Sequence, residues 1–379
     1  MPSAVNLLRR EHCFSRKPIP INKMSIITRF MSTMVGSMPH DDAEAAVDIV
    51  LSNIKDAPAW PQLPKSGLHE QMEIQYSEGM PCVVIDEEKN RMFFDTSGDY
   101  SEAFADFYES YIMAMDPDEG NGDCSSMVIG SAFAKGLYEL ESRLKGSEKR
   151  FPFIKVQTTG PCTVALSTVD ENKRAIYYNE EFRDVVVKAL AMKCRWQIQK
   201  FAPFADTIIC FIDEPILSAF GSSTYVSVRR EDIVEQLAEV IEAIHADNGL
   251  AGVHCCGNTE WSILVDAGVD ILNLDAYEFG ESIAIYPEAV RELFERGGRI
   301  AWGIVPTSEA IRSETVESLA QKLDHVIDNL ASKGIDREEI MDHSMVTPSC
   351  GTGSMDPEDA ERVFRITGEL SDFLKTKYA

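Results

Sequence analysis

The stretch Val253-His254-Cys255-Cys256-Gly257-Asn258 ends an apolar, strand-like run, and a related stretch, Thr347-Pro348-Ser349-Cys350-Gly351-Thr352, ends another one further along the chain. Each changes at once from strand-like residues into glycine and small polar residues. Along a strand, residues i and i+2 point to the same face. His254 and Cys256 should therefore face the same way, with Cys255 turned into the packing behind them.

Similar strand-like runs alternate with amphipathic stretches from residue 26 onward, as is typical of parallel βα units. Helical periodicity marks residues 180–201, 229–247, 284–296 and 314–333. The strand-like runs cover residues 28–35, 153–158, 207–212, 250–253, 269–274, 299–305 and 345–348, with a further candidate at 80–85. Apolar strands between amphipathic helices indicate a parallel sheet that is covered on both sides.

Polar and ligand-type residues follow nearly every strand-like run, and barrel active sites lie at the carboxyl ends of the strands. We therefore expect an α/β fold of the (β/α)8 TIM-barrel type. Residues 82–97 predict a hairpin within an N-terminal insertion. Three prolines within residues 57–64 exclude a helix there and predict an extended loop.

The chain has 379 residues, of which 44% are hydrophobic, enough for one large domain or two ordinary ones. We expect a single barrel domain over residues 24–379. Residues 1–23 are basic and nearly free of acids, and they contain Pro18 and Pro20. This leader predicts a disordered tail or an upstream start ahead of Met24, with a targeting peptide as the alternative.

The net charge of −26 disfavours binding to nucleic-acid phosphates. Nine scattered cysteines indicate a reducing compartment, and we expect a cytoplasmic protein. No apolar run approaches the length of a membrane span. Neither a phosphate-binding glycine motif nor a Gly-x-Ser-x-Gly nucleophile motif is present, which disfavours nucleotide chemistry and serine hydrolysis.

Imidazole and thiolate groups are the ligands that zinc prefers, so His254, Cys256 and Cys350 together predict a zinc site with one open position. Zinc deprotonates a bound thiol, which makes it a better nucleophile. The alternative is a core histidine and two unconnected buried cysteines. Placement of both motifs at predicted strand ends, each with glycine after the cysteine, favours the metal.

Acidic residues at two other strand ends are candidates for the same site. Asp275 would be a fourth, displaceable zinc ligand, with Glu278 as the alternative ligand; Asp275 could instead cap a helix. Asp213 and Glu214 end a strand and should face opposite ways, so that one of them reaches the site. That acid would bind a substrate ammonium group or, alternatively, cap the following helix.

The loop Gly36-Ser37-Met38-Pro39-His40 ends the first strand and opens a helix, where backbone N–H groups can hold a carboxylate. Glu70 and Glu73 lie in a predicted helix from His69 to Tyr76, for which a solvated face is the default expectation. The helical pattern by itself gives Glu70 no role in the site.

The stretches 32–40, 60–64, 212–215, 253–258 and 348–351 together resemble the catalytic domain of cobalamin-independent methionine synthase. More widely, they are similar to the superfamily of uroporphyrinogen decarboxylase and the zinc methyltransferases that use methylated corrinoids. The resemblance runs from about residue 28 to the C-terminus. Its His-x-Cys and distant Cys-Gly motifs are specific, whereas the Asp-Glu-Pro and Gly-Ser-x-Pro motifs are only supportive.

The resemblance implies a (β/α)8 barrel with zinc bound by His254, Cys256 and Cys350. The family's fourth ligand is a glutamate, and Asp275 stands at its position here, so this ligand departs from the pattern. The resemblance also implies that Asp213 binds the amino group of homocysteine, that the Ser37 loop binds its carboxylate, and that Glu70 is a second amine-binding acid.

The resemblance further implies the short "core" form of methionine synthase, because the chain has room for one barrel whereas full-length family members have two. The expected methyl donor is then a methylcorrinoid, either methylcobalamin or a corrinoid protein. The expected acceptor is a small thiol, homocysteine, with coenzyme M as the alternative. Two competing functions are a uroporphyrinogen decarboxylase-like enzyme and a noncatalytic zinc-binding partner of a corrinoid protein.

Overall fold

The computed structural model describes residues 28–115, 122–147 and 149–379, so the predicted leader, residues 1–23, lies outside the described residues. A curled, fully parallel sheet organises this part of the chain, with seven strands in the order β1-β9-β8-β7-β6-β5-β4. These strands are β1 Met31–Ser32, β4 Phe151–Thr159, β5 Ala205–Asp213, β6 Leu250–Cys255, β7 Ile271–Leu274, β8 Arg299–Val305 and β9 Ser344–Pro348.

The predicted hairpin is confirmed as an antiparallel pair outside this sheet, formed by β2 (Val83–Asp86) and β3 (Arg91–Phe94). Asn90, in the left-handed conformation, ends the turn between the two strands. The use of residues 80–85 as an eighth strand of the main sheet was therefore wrong, because they pair with their own hairpin partner.

The α/β class and the parallel sheet are confirmed, but the sheet is not a closed eight-stranded barrel. The proline-rich segment 57–62 lies beside both edge strands. It contacts β4 through the hydrogen bond from Lys155 N to the Pro58 carbonyl (2.9 Å), and β1 through the bond from Ala57 N to the Ser32 carbonyl (3.2 Å). Pro58 and Pro61 have no N–H group, so this segment forms isolated bridges instead of a ladder.

Helices surround the sheet, and the predicted helix over residues 180–201 is found with the same bounds. Side chains cap several helix starts; Asp42 accepts from Glu44 N (2.9 Å) and Asn179 from Glu181 N (3.2 Å). The helices are α1 Ala43–Asn53, α2 Met72–Gln75, α3 Ser101–Met115, α4 Lys135–Lys145, α5 Pro161–Ser167, α6 Glu180–Phe201, α7 Arg230–Ala246, α8 Ser262–Asp266, α9 Ala276–Phe279, α10 Pro287–Glu295, α11 Val316–Ala331, α12 Arg337–Asp342 and α13 Pro357–Lys377.

The concave face of the sheet has an apolar layer toward the amino ends of its strands. We call this cluster the lower layer; none of its members is more than 2% exposed. It consists of Met31, Ala57, Phe153, Ile209, Phe211, Leu250, Ile271, Ala301 and Met345. Further along the same strands the buried side chains become polar. Within the described ranges, no helix is long and apolar enough to cross a membrane.

Candidate metal centre

His254, Cys256 and Cys350 come together at the carboxyl ends of β6 and β9. One ring nitrogen of His254 and the sulfur atoms of both cysteines all lie within 4.8 Å of one another. Three strand spacings separate β6 from β9, which in a flat sheet would be about 14 Å. The curl of the sheet therefore brings the two distant sequence motifs into one group.

Two glycines allow the loop that carries Cys350 to approach its neighbours closely. A Cβ on Gly303 of β8 would lie 2.5 Å from the Leu274 carbonyl and 2.8 Å from Cα of Ser349. A Cβ on Gly351 would lie 2.0 Å from Oγ of Ser37. A larger residue at Gly303 would displace the backbone at the end of β9, and one at Gly351 would force the Ser37 side chain to move.

The His254 ring is held by one nitrogen and leaves the other without a partner. Nδ1 lies 2.7 Å from Oδ1 of Asn273, which sits beside His254 on β7. His254 is 2% exposed, and its Nε2 has no hydrogen-bond partner among the described residues. A buried nitrogen without a partner costs free energy unless a ligand meets it. This atom and the two thiols therefore fit a bound metal such as zinc.

Electrostatics within the group favour one thiolate. Contact with the Cys350 thiol, followed by contact with His254, lowers the pKa of Cys256 to about 4. The same pairing with Cys256 raises the pKa of Cys350, since two adjacent thiols do not both ionise readily. Burial lowers the pKa of His254, but Cys256 and Asp213 outweigh it and the pKa is raised overall.

Asp213 and Glu214 point in opposite directions, as strand alternation predicts. Glu214 caps α5, accepting from Cys162 N (2.9 Å) and from Thr163 N (2.8 Å) and Oγ1 (2.6 Å). Asp213 lies beside His254 in the sheet register, is 6% exposed, and has an Oδ1 atom that is unpartnered within the described chain. Burial raises the pKa of Asp213. Asp213 is thus the acid that faces the metal group.

A buried lysine lies below Asp213 on the concave face. Nζ of Lys155 is 3.2 Å from Oε1 of Gln157 and 4.6 Å from the centre of the Phe211 ring. Burial lowers the pKa of Lys155 to about 8, although the charge of Asp213 acts to raise it. Lys155 therefore stands between the lower layer and the polar groups above it.

The other two predicted substrate-binding residues lie in different settings. The Ser37 carbonyl accepts from Thr352 N (2.8 Å) and Oγ1 (3.0 Å), so the Ser37 loop is bound directly to the Cys350 loop. Glu70 ends a short 3-10 helix, Leu68–Glu70, and is 2% exposed. Its oxygens accept from Leu63 N, Gln75 Nε2 and Lys135 N at 2.8–3.2 Å, so the solvated face expected there is wrong.

Asp275 lies at the end of β7 but outside the group of three ligand atoms that meet within 4.8 Å. Its Oδ1 accepts from Glu278 N (3.0 Å) and caps α9, as the helix-capping interpretation predicts. Burial raises the pKa of Asp275 to about 6. The side chain of Glu278 is exposed. Whether either carboxylate is a fourth ligand stays a prediction.

Three polar residues beside the site were missed from the sequence: Asn273, Thr347 and Lys155. Each is fully buried on a strand that otherwise consists largely of apolar residues. Asn273 stands two residues before Asp275, and therefore on the same face of β7. The signal that could have identified Asn273 is a polar residue inside an apolar strand, on the same face as a candidate ligand.

Comparisons with known proteins bear on the fold. No protein-family model and no curated protein sequence matches the chain. Among solved structures, the chain is similar to a methyltransferase from Methanosarcina mazei, with a TM-score of 0.53 and 14% identity over 95% of this chain and 98% of that one. An ochratoxinase from A. niger is matched over 68% of this chain at 14% identity, with a TM-score of 0.29. The chain therefore has an overall fold that is also found in a methanogen methyltransferase.

Proposed function

We propose that this chain is a zinc-dependent methyltransferase that transfers a methyl group to a thiol acceptor. The observation that carries the proposal is the buried, unpartnered Nε2 of His254 beside the Cys256 and Cys350 thiols. A zinc ion bound there would hold the acceptor sulfur as a thiolate, which is a stronger nucleophile than a thiol at neutral pH. The fold shared with a methyltransferase supports the same reaction class.

We infer that the acceptor is homocysteine and that the product is methionine. Asp213 offers a carboxylate oxygen without a partner in the described chain, which suits the acceptor's ammonium group. The Ser37 loop is bound to the Cys350 loop and would receive the acceptor's carboxylate. Contacts at both ends of a small substrate fix its sulfur, and alignment of two reactants is worth effective molarities of about 10⁵ M or more.

The proposed methyl donor is a methylcorrinoid, either free methylcobalamin or a corrinoid protein. The acceptor sulfur would form a bond to the methyl carbon while the carbon–cobalt bond breaks and its electron pair stays on the corrinoid. The chain's own residues contribute by orienting the acceptor and by surrounding it with buried side chains. This part of the proposal rests on the family resemblance of the motifs around Ser37, His254 and Cys350.

Metal content provides the first test. The purified protein should bind about one zinc per chain, and Cys256→Ser should lose it. Cys255→Ser is the matched control, because Cys255 is the adjacent residue but is buried in the packing, with its sulfur 3.6 Å from the Gly257 carbonyl. Equal zinc binding by wild type and Cys256→Ser would contradict the proposed site.

Methyl transfer provides the second test. Wild-type protein should transfer a methyl group from methylcobalamin to homocysteine, and a chelator should abolish the transfer. Coenzyme M is assayed in parallel; methylation of coenzyme M alone would overturn the choice of homocysteine and keep the reaction class. Failure to methylate either thiol, with free methylcobalamin or with a methylated corrinoid protein, would overturn the methyltransferase proposal.

A further inference from the structure

The Asn273 amide connects the strands that carry the two halves of the metal centre. Its Oδ1 is 2.7 Å from Nδ1 of His254 on β6. Its Nδ2 donates to the Ala301 carbonyl on β8 (2.7 Å) and to Oγ1 of Thr347 on β9 (2.9 Å). All of these residues are at most 2% exposed, so water does not compete for these hydrogen bonds.

These contacts determine the orientation of the amide and the tautomer of the histidine. The Ala301 carbonyl can only accept, so the NH₂ group of Asn273 must face it and Oδ1 must face His254. An amide oxygen also only accepts, which requires a hydrogen on Nδ1 of His254. In the neutral ring the lone pair is then on Nε2, the atom left without a hydrogen-bond partner in the described structure.

We propose that Asn273 and Thr347 are positioning residues, which hold the His254–Cys256 half and the Cys350 half of the metal centre in register. The proposal rests on the proposed function, because it assumes that a metal binds there. Thr347 lies in β9, three residues before Cys350, and Asn273 lies next to His254. The hydrogen bond from Asn273 to Thr347 therefore connects the residue that orients the His254 ring to the strand that leads to Cys350.

An amide suits this position better than the carboxylate that often supports a metal-bound histidine. A carboxylate could accept from Nδ1 of His254, but it could not donate to the Ala301 carbonyl or to Thr347. Asn273→Asp should therefore weaken metal binding although it preserves the shape of the side chain.

The experiment measures metal affinity in the full chain by competition with a chelator, for zinc and for cobalt(II). The variants are Asn273→Ala, Thr347→Val, which keeps the side-chain shape without the hydroxyl, and Thr347→Ser, which restores the hydroxyl. Thr367→Val is the matched control, because it removes another buried threonine hydroxyl (2.8 Å from the Val363 carbonyl) on α13. Urea unfolding of each metal-free variant reports the fold.

We expect Asn273→Ala and Thr347→Val to lose about 10- to 100-fold in affinity, the range typical of residues that support metal ligands. Thr347→Ser and Thr367→Val should stay within about twofold of wild type. The cobalt absorption bands should change in Thr347→Val and not in Thr367→Val. If Thr347 had a merely structural role, its substitution would not change these bands. If Asn273→Ala fails to fold, the threonine pair still decides the question.

Wild-type affinity in Thr347→Val, with unchanged cobalt bands, would overturn this inference and leave the proposed metal site intact. Equal losses in Thr347→Val and Thr367→Val would also overturn it, because a general loss of stability would then explain both. If wild type itself binds neither metal, the proposed function fails together with the inference. The result for wild type therefore separates the two failures.

Discussion

The concave face of the sheet has two layers. One is apolar, and the other contains buried polar atoms without hydrogen-bond partners. The lower layer is apolar on all its strands. A few residues further along the same strands lies what we call the upper layer: Asp213, His254, Asn273 and Thr347. These residues are also buried, with Asp213 the most exposed at 6%, yet Oδ1 of Asp213 and Nε2 of His254 lack hydrogen-bond partners in the described chain.

This contrast indicates that the upper layer stabilises the fold less than the lower layer does. A buried polar atom without a hydrogen-bond partner costs about 1–3 kcal/mol of folding free energy. An apolar side chain in the same place does not have this cost. The lower layer therefore stabilises the sheet, and the upper layer keeps atoms available for a ligand. Substitutions in the two layers should separate folding from metal binding.

Loss of a metal ligand in the upper layer should have the largest effect. In Cys350→Ser we expect zinc affinity and thiol methylation to fall by about 10³-fold or more, because loss of supporting residues alone costs about 10- to 100-fold. The free energy of unfolding of the metal-free protein should change by less than about 1 kcal/mol, since Cys350 is only half-buried. Chelator competition, activity assays and urea unfolding measure these quantities.

Cys82→Ser is the control for this substitution, because Cys82 is another half-buried cysteine and precedes the hairpin strand β2. It should leave metal affinity and activity unchanged. Comparable losses of affinity in both variants would contradict the assignment of Cys350 to the metal centre.

The converse change, in the lower layer, is Phe153→Ala. Phe153 is 1% exposed on β4, and removing a buried phenylalanine side chain typically costs about 3–5 kcal/mol. We expect that loss in the urea unfolding of the variant, with a zinc affinity of the folded protein within about twofold of wild type. Phe153→Leu should show a smaller loss. A metal affinity reduced as strongly as in Cys350→Ser would show that the two layers are not independent.

The regular parts of the fold could be predicted from the sequence because burial patterns are local. The apolar run before Asp213 and the helix over residues 180–201 carry their periodicity in adjacent residues. The hairpin at β2 and β3 was also predicted, but residues 80–85 were assigned to the main sheet as well, so the pairing of this strand was left ambiguous. Sequence periodicity indicates a strand without showing which strand it pairs with.

The candidate metal ligands could be predicted because each sits at a recognisable strand end. The hydrogen bonds that hold these ligands in place could not be predicted. The hydrogen bonds from Asn273 to Ala301 and Thr347 join residues on three different strands, and their geometry depends on the curl of the sheet. Likewise the capping of α9 by Asp275 and its role as a ligand are equally compatible with the sequence.

Lys155 stands at the boundary between the two layers and predicts a pH effect. Burial lowers its pKa from 10.5 to about 8. Between these two pH values the unfolded chain holds a proton that the folded chain has lost, so wild-type stability should rise as pH increases through this window. The rise is at most about 3 kcal/mol, since one pKa unit corresponds to about 1.4 kcal/mol.

Lys155→Met should lack this rise. The variant's stability relative to wild type should therefore be greatest near pH 7 and should shrink by pH 10, as measured by urea unfolding at both values. Lys55→Met, at an exposed lysine, is the control for removing a lysine from the chain. A stability difference between Lys155→Met and wild type that is the same at both pH values would contradict the lowered pKa.

The smallest expected effect concerns Asp275, at the rim of the upper layer. As a helix cap it accepts one backbone N–H, so Asp275→Ala should lose about 1 kcal/mol of stability, whereas Asp275→Asn keeps the cap and should lose much less. Because its carboxylate lies outside the group of three ligand atoms, we expect zinc affinity in Asp275→Asn to stay within about twofold of wild type. A loss of more than about tenfold in both variants, with the stability of Asp275→Asn preserved, would instead identify Asp275 as the fourth ligand. The upper layer would then supply four ligands to the metal, and an acceptor thiol would have to displace one of them in order to bind.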